Sequence, residues 1–342
     1  MKAIILSAGY GTRLRPLCDA TAKPLVKVLG IPLIEYTLNF MSNNGIEDVY
    51  VNRHYFPEKF SDVVVPDGLR VHYSVEKDIL GTLGGVNSFR EHLDDDFLVV
   101  NGDILFDFDL SGVVHAHKQR KNIATLLLKP RIGDVSPVYV DDFYNIVNIG
   151  NRAFNTAGIY KEYMFSGIQL MNKNVFDLTK ELSVPACLVK DLYIPHLNSG
   201  MHLTAYVPKK EILWMEAGDM SSYLRTNLNV LDLLSRYKLS INTESFISEN
   251  WVESVEGIWL GDGYFIDPEA MILPPVLVGR GSKILAGSVV GPNAIVGDNC
   301  IIGERSNVRD SVILDNTNIS NSTLVEGMVV GNDFIFNSSN TQ

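Results

Sequence analysis

The chain has 342 residues, 46% hydrophobic and 20% charged, with a formal net charge of -11 and a pI near 5.1. Such a length accommodates two domains or one large one with a sizeable core. The acidic balance and the lack of a clustered Lys/Arg stripe exclude the usual footprint of a nucleic-acid binder, and "KQRKN" at 118–122 reads as a solvated face.

Residues 3–7 read as a buried strand and 32–45 as a helix, with Pro32 in its first turn, Ile34, Leu38 and Met41 on one face and Gly45 at its C-terminal cap. Short apolar runs at 48–52, 97–101, 124–128, 203–207 and 211–215 predict further strands. Alternation with helical patterns predicts an α/β domain with a mainly parallel, Rossmann-like sheet over residues 1–240. Leu224, Leu228, Leu231 and Leu234 predict a helix over 219–236, with Asp219 as its N-cap. No apolar run approaches a membrane span. The apolar stretch after Lys2 is too short for a secretory leader, so a cytoplasmic location is expected. Cys18, Cys187 and Cys300 lack the spacing of a zinc site or a disulfide framework.

A linker is expected over 241–256. Beyond it a six-residue period runs through Leu260, Ile266, Ile272, Val278, Ile284, Val290, Val296, Ile302, Val308 and Leu314. Small residues recur four places on, at Ala270, Ser282, Ser288, Ala294, Cys300 and Ser306. One hexad cannot bury its own face, so the period predicts stacked coils of parallel strand over 257–336. The register falters after Leu314, and "NSSNTQ" reads as a frayed end. The pattern resembles the hexapeptide-repeat family, which implies a left-handed parallel β-helix.

"LSAGYGTRLRP" at 6–16 follows the first strand. Its glycines let backbone N–H groups approach a phosphate, and its arginines supply forked donors. The third glycine of a dinucleotide fingerprint is replaced by Leu14, and no Lys-Ser/Thr pair follows as a Walker A loop requires. Extended to "SAGYGTRLRPLCDATAKPLV", the segment resembles the G-x-G-T-R-x-x-P-L…P-K-P-L signature of the sugar-1-phosphate nucleotidyltransferases. The two halves together are most similar to the mannose-1-phosphate guanylyltransferases.

The resemblance implies attack of a sugar-1-phosphate on the α-phosphate of a nucleoside triphosphate, with Mg2+ as cofactor and pyrophosphate as leaving group. Leu6, Ala8, Gly9, Gly11, Thr12 and Arg13 would hold the triphosphate, with Arg13 and Lys23 as its charged contacts. Asp103, directly after a strand, would ligate the metal; Glu216 stands where the family has its second metal-binding aspartate. Glu76, Gly81 and Thr82 fall in the base-contacting segment, and an acceptor-only Glu76 matches the two adjacent donors of guanine. Ser166 and Gly167 are the candidate sugar contacts, next to Phe165 in place of the family's Asn.

GTP and mannose-1-phosphate or a related sugar are therefore the expected substrates. A uridylyltransferase, a heptose-1-phosphate guanylyltransferase and a non-catalytic sensor of NDP-sugar are the alternatives. A histidine-dependent acyltransferase is not expected of the repeat, because all seven histidines precede it. A homo-oligomer is expected, with neither nucleic acid nor membrane as partner.

Overall fold

The computed structural model describes residues 1–120, 122–150, 160–200 and 203–338. Lys121 of the basic stretch and residues 339–342 of the polar end lie outside them. The chain runs through β1 (Lys2–Leu6), β2 (Lys27–Val28), β3 (Ile31–Pro32), α1 (Leu33–Asn43), β4 (Asp48–Arg53), β5 (Arg70–Val75), α2 (Gly81–Asn87), β6 (Phe97–Asn101) and β7 (Ile104–Asp107). It continues through α3 (Leu110–Lys118), β8 (Ala124–Pro130), β9 (Val138–Val140), β10 (Asn145–Ile149), β11 (Lys161–Met171), α4 (Ile194–Asn198), β12 (Leu203–Tyr206) and β13 (Leu213–Glu216). Two helices follow, α5 (Met220–Ser235) and α6 (Ile241–Asn250), and then β14 (Val252–Val255) and β15 (Ile258–Leu260). Among the described residues no helix is long and apolar enough to cross a membrane.

Contacts divide the chain into two compact units. One comprises Met1–Tyr10 with Thr37–Trp214, the other Gly11–Tyr36 with Met215–Gln342. The division is thus not the linear one expected at residue 240: most of the signature segment folds with the C-terminal part.

The first unit is built on a nine-stranded mixed sheet in the order β5-β4-β1-β6-β11-β8-β12-β10-β9. Strands β5, β4, β1 and β6 are parallel, and the apolar runs of β4, β1 and β6 are buried as expected of a sheet covered on both faces, while the edge strand β5 is not. Leu6 is level with Asn52 on one side and Asn101 on the other, so the carboxyl ends of three strands form one edge. Such an edge is where open α/β sheets bind ligands. Strand β11 runs antiparallel to β6 and β8 and breaks register between Phe165 and Gln169.

In the second unit β2 and β3 form a tight hairpin. Pro32 pairs with Lys27 there and is not in the first turn of α1, which starts one residue later. Asp219 caps α5 as expected, in a reciprocal capping box with Ser222. The expected linker instead carries α6 and β14; the polar composition of α6 hid its periodicity.

The repeat forms stacked coils whose strands pair in parallel along three ladders. Val278, Ile284, Val290, Val296, Ile302 and Val308 point inward and are buried. Gly279 lets adjacent coils touch, since a Cβ there would lie 2.3 Å from the carbonyl of Gly297. The expected inward Leu314 is replaced by Ile313: the corner after Val308 is one residue short, turned by Asp310 at φ 48°. The register then resumes through Ile319 and Val325, and a second corner one residue short, at Gly327, brings Val330 inward.

Candidate active site

The first unit carries the start of the signature loop. The amide of Ser7 donates to Asn52 Oδ1 at 2.8 Å, fixing the chain as it leaves β1. Ala8 is buried, while a Cβ at Gly9 would meet nothing within 4 Å. Gly9 therefore leaves its backbone open to a ligand. Tyr10 packs edge-on against His54, with ring centroids 5.1 Å apart.

Asn52 passes the connection onward. Its Nδ2 donates to Glu76 Oε1 at 2.6 Å, and the amide of Leu80 donates to Glu76 Oε2 at 2.8 Å. Glu76 is 5% exposed. Both of its oxygens are thus engaged by the protein, and the side chain ties the 76–80 turn to the strand ends. Nothing in the sequence marked Asn52, except that a "VN" pair stands near the end of β4 as it does at the end of β6.

Gly81 has φ 76°, and a Cβ there would collide with the carbonyl oxygen of Ala186 at 2.3 Å. Thr82 Oγ1 accepts from the amide of Leu188. The base-contacting candidates Gly81 and Thr82 are therefore also the seam to the 184–188 segment. A cleft of about 450 Å³ opens here, lined by Glu76, Leu80, Val184 and Pro185 among others, a volume in the range of small-molecule sites.

Asp103 lies half-buried in the turn between β6 and β7, just beyond the strand edge; the preceding amide, of Gly102, donates to Leu6 O. Asp109 caps α3 through Gly112. Ser166 is buried, and its hydroxyl donates to Leu127 O at 2.7 Å. Gly167, at φ 80°, lies against the side-chain amide of Asn101. The pair builds the bulge of β11, so the Ser166 hydroxyl serves the strand. The carbonyl of Ser166 accepts from the indole of Trp214, over whose ring lies the buried Lys129, 3.7 Å from the centroid. No periodicity or motif marks that lysine.

The second unit carries the rest of the loop. Gly11 has φ 62°, and its missing side chain leaves room for Cys18 and Lys23, which a Cβ would meet at 2.8 and 3.3 Å. Burial pushes the Cys18 thiol up to about 11, against the field of Lys23, so it is a packing residue and not a nucleophile. Thr12–Leu14 makes a single 3₁₀ turn that presents Arg13 outward. Arg13 Nη2 lies 3.9 Å from Glu216 Oε1, and Lys23 opens a second 3₁₀ turn. Burial works against charge on Asp219, yet the amide and hydroxyl of Ser222 and the nearby Arg13 hold its carboxyl below the usual range. With Asp219 committed to the cap, Glu216 is the carboxylate left to face Arg13.

Comparison with known proteins agrees with this reading of the two halves. Residues 2–136 match the family model described as Nucleotidyl transferase, and residues 272–339 match the GMPPB C-terminal domain. A UTP–glucose-1-phosphate uridylyltransferase from Synechocystis sp. is 26% identical over 319 residues, covering 85% of this chain and 81% of that protein. Mannose-1-phosphate guanyltransferase 2 from Candida glabrata is 28% identical over 270 residues, covering 73% and 70%. The crystal structure of HddC from Yersinia pseudotuberculosis shares the fold, with a TM-score of 0.55 at 17% identity over 67% of this chain and 99% of that one.

Proposed function

Starting from a chain that belongs to the sugar-1-phosphate nucleotidyltransferases, we propose that it transfers a guanylyl group from GTP to mannose-1-phosphate or a related sugar phosphate. A phosphate oxygen of the sugar attacks the α-phosphorus, the bond to the β-phosphate oxygen breaks, and pyrophosphate leaves. Such chemistry needs no covalent intermediate and is carried by positioning and charge. The observation that carries the reading is the ordered Leu6–Lys23 segment, with open backbone at Gly9 and two cations, Arg13 and Lys23, on short turns.

Arg13 and Lys23 offset charge on the triphosphate. The backbone of Leu6, Ala8, Gly9, Gly11 and Thr12 offers it amides. Asp103 and Glu216 are the proposed donors to Mg2+, and hard carboxylate oxygens are the donor type that ion takes. When bound, the ion neutralises phosphate charge. The base is assigned to the segment of Glu76, Gly81 and Thr82, of which Glu76 lines the cleft. Because Glu76 is engaged at both oxygens, support for guanine comes from the likeness to mannose-1-phosphate guanyltransferase 2 of Candida glabrata. With the Ser166 hydroxyl committed to Leu127, the sugar contact from that pair falls to the backbone of Gly167.

The test incubates the protein and Mg2+ with each NTP against a panel of sugar-1-phosphates and follows pyrophosphate release. The expected result is turnover with GTP and a mannose-type phosphate, lost on the order of 100-fold or more in Asp103→Asn. Preference for UTP would replace the guanylyl reading by a uridylyl one. Tight NDP-sugar binding with no turnover of any pair would overturn the transferase reading in favour of a sensor.

A further inference from the structure

The signature segment is tied to the C-terminal unit by a clamp that the nucleotide-binding motif does not explain. Its centre is the β2–β3 hairpin, whose two turn residues, Leu29 and Gly30, have φ 48° and 77°. Two positive φ values are the signature of a type I′ turn, which favours Asn-Gly. A leucine in the first position is strained, and such a conformation persists only where its surroundings over-determine it.

The surroundings do so at Leu29, which is fully buried. Its amide donates to Asn227 Oδ1 at 3.0 Å, and Asn227 Nδ2 is fixed in turn on Tyr223 O. Its carbonyl accepts from Trp251 Nε1 at 2.8 Å. Gly30 lies flat on the same indole, since a Cβ would stand 2.6 Å from the ring. Beside the turn, Lys27 Nζ meets Asp315 Oδ2 at 2.5 Å; the other oxygen of Asp315 accepts from the amide of Asp298.

Helix α5 completes the frame. Just ahead of it, at the end of β13, Glu216 Oε1 lies 3.9 Å from Arg13 Nη2, and Arg13 acts on the carboxyl of the helix cap, Asp219. Its middle supplies Asn227. It packs on the coil strands at Ala294–Val296, Ser311–Ile313 and Met328–Val330. Lys23 is one turn from the hairpin, its carbonyl accepting from the amide of Val26, whose own carbonyl accepts from Leu33.

We propose that the C-terminal part of this chain is a positioning device for nucleotide binding: Asn227, Trp251 and Asp315 clamp the Leu29–Gly30 hairpin and so hold the segment carrying Arg13 and Lys23 in its binding conformation. Without the clamp that conformation becomes one of several, and the triphosphate must select it. The apparent affinity then falls by the fraction lost. At saturating nucleotide the ligand itself orders the segment, so the loss falls on KM and spares kcat. A variant that merely unfolded part of the sample would do the reverse.

The experiment compares the full-length protein with Trp251→Phe, which keeps the ring and removes the donor, and with Asp315→Lys alone and combined with Lys27→Asp. Hydrogen exchange of amides 11–30 is read without substrate, and KM and kcat are read with the best NTP. Trp251→Phe is expected to speed that exchange and raise KM by about tenfold, with kcat within about twofold. Asp315→Lys is expected to change both by about threefold and the charge-swapped pair to restore them. Unchanged exchange and KM in both single variants, or a loss confined to kcat, would overturn the proposal. If Trp251→Phe does not fold, the Lys27–Asp315 series decides. The KM arm rests on the nucleotidyltransferase reading and the exchange arm does not: faster exchange in a protein that turns over no nucleotide removes that reading and leaves the clamp standing.

Discussion

Glu76 accepts from Asn52 Nδ2 and from the amide of Leu80, one donor to each carboxylate oxygen. Replacing it by glutamine turns one oxygen into an N–H group that faces a donor. A buried donor without an acceptor costs about 1–3 kcal/mol. Glu76→Gln is therefore expected to lower unfolding stability by that amount in urea titration, and Asn52→Ala to couple with it in a double-mutant cycle. An altered NTP preference at unchanged stability would return Glu76 to base recognition. The same distinction holds at Ser166, whose hydroxyl is turned to Leu127. A sequence displays which side chains stand at a site, but not which of them are already occupied by the fold. Gly9, Gly11, Arg13 and Lys23 could be singled out from the sequence because the roles proposed for them lie in backbone freedom and charge. The engagement of Glu76 and Ser166 could not be read there, because their partners, Asn52 and Leu127, are remote in sequence.

Elements with a strong period and a cap were readable almost to the residue. Helix α5 follows its leucine spacing and starts at Asp219. Since folding lowers the pKa of that carboxyl, its contribution is fully present above the unfolded value of about 4 and is lost as pH falls through the folded one. Asp219→Ala is thus expected to cost about 1 kcal/mol at pH 7 and progressively less as pH is lowered below about 4, as urea unfolding across a descending pH series would show. The hexad period was equally clear up to Val308; there a single missing residue moves the inward position from Leu314 to Ile313. A corner one residue short changes no composition, so only the coil geometry reveals it. Gly279→Ala places a Cβ 2.3 Å from Gly297, forcing two coils apart, and is expected to cost about 1–3 kcal/mol by the same titration. The hairpin at Leu29 and the bulge of β11 stayed hidden because tertiary contacts hold Leu29 and Gly167 in backbone states their neighbours in sequence do not announce.

Across the molecule, the division at residue 240 expected from sequence gives way to two units that share the signature segment between them. Periodicity marks where a pattern changes, but not which remote residues a hairpin packs against. On the repeat, Met271 and Leu324 stand at the two ends of one ladder and are 55% and 58% exposed, and exposed apolar side chains on one face are candidates for a contact surface. If the expected homo-oligomer uses them, Met271→Asp with Leu324→Asp lowers the sedimentation coefficient of the full-length protein; an unchanged profile removes this face as the interface. One consequence of the Lys27–Asp315 contact reaches beyond the finished protein. Its partners are 288 residues apart, so at 5–20 residues per second a ribosome delivers the second roughly 15 to 60 s after the first. During that interval the hairpin has been synthesised but has no clamp, and a chain broken off before residue 315 never acquires the contact. Completion of translation thereby becomes a condition for full nucleotide affinity, and prematurely terminated products are left without it.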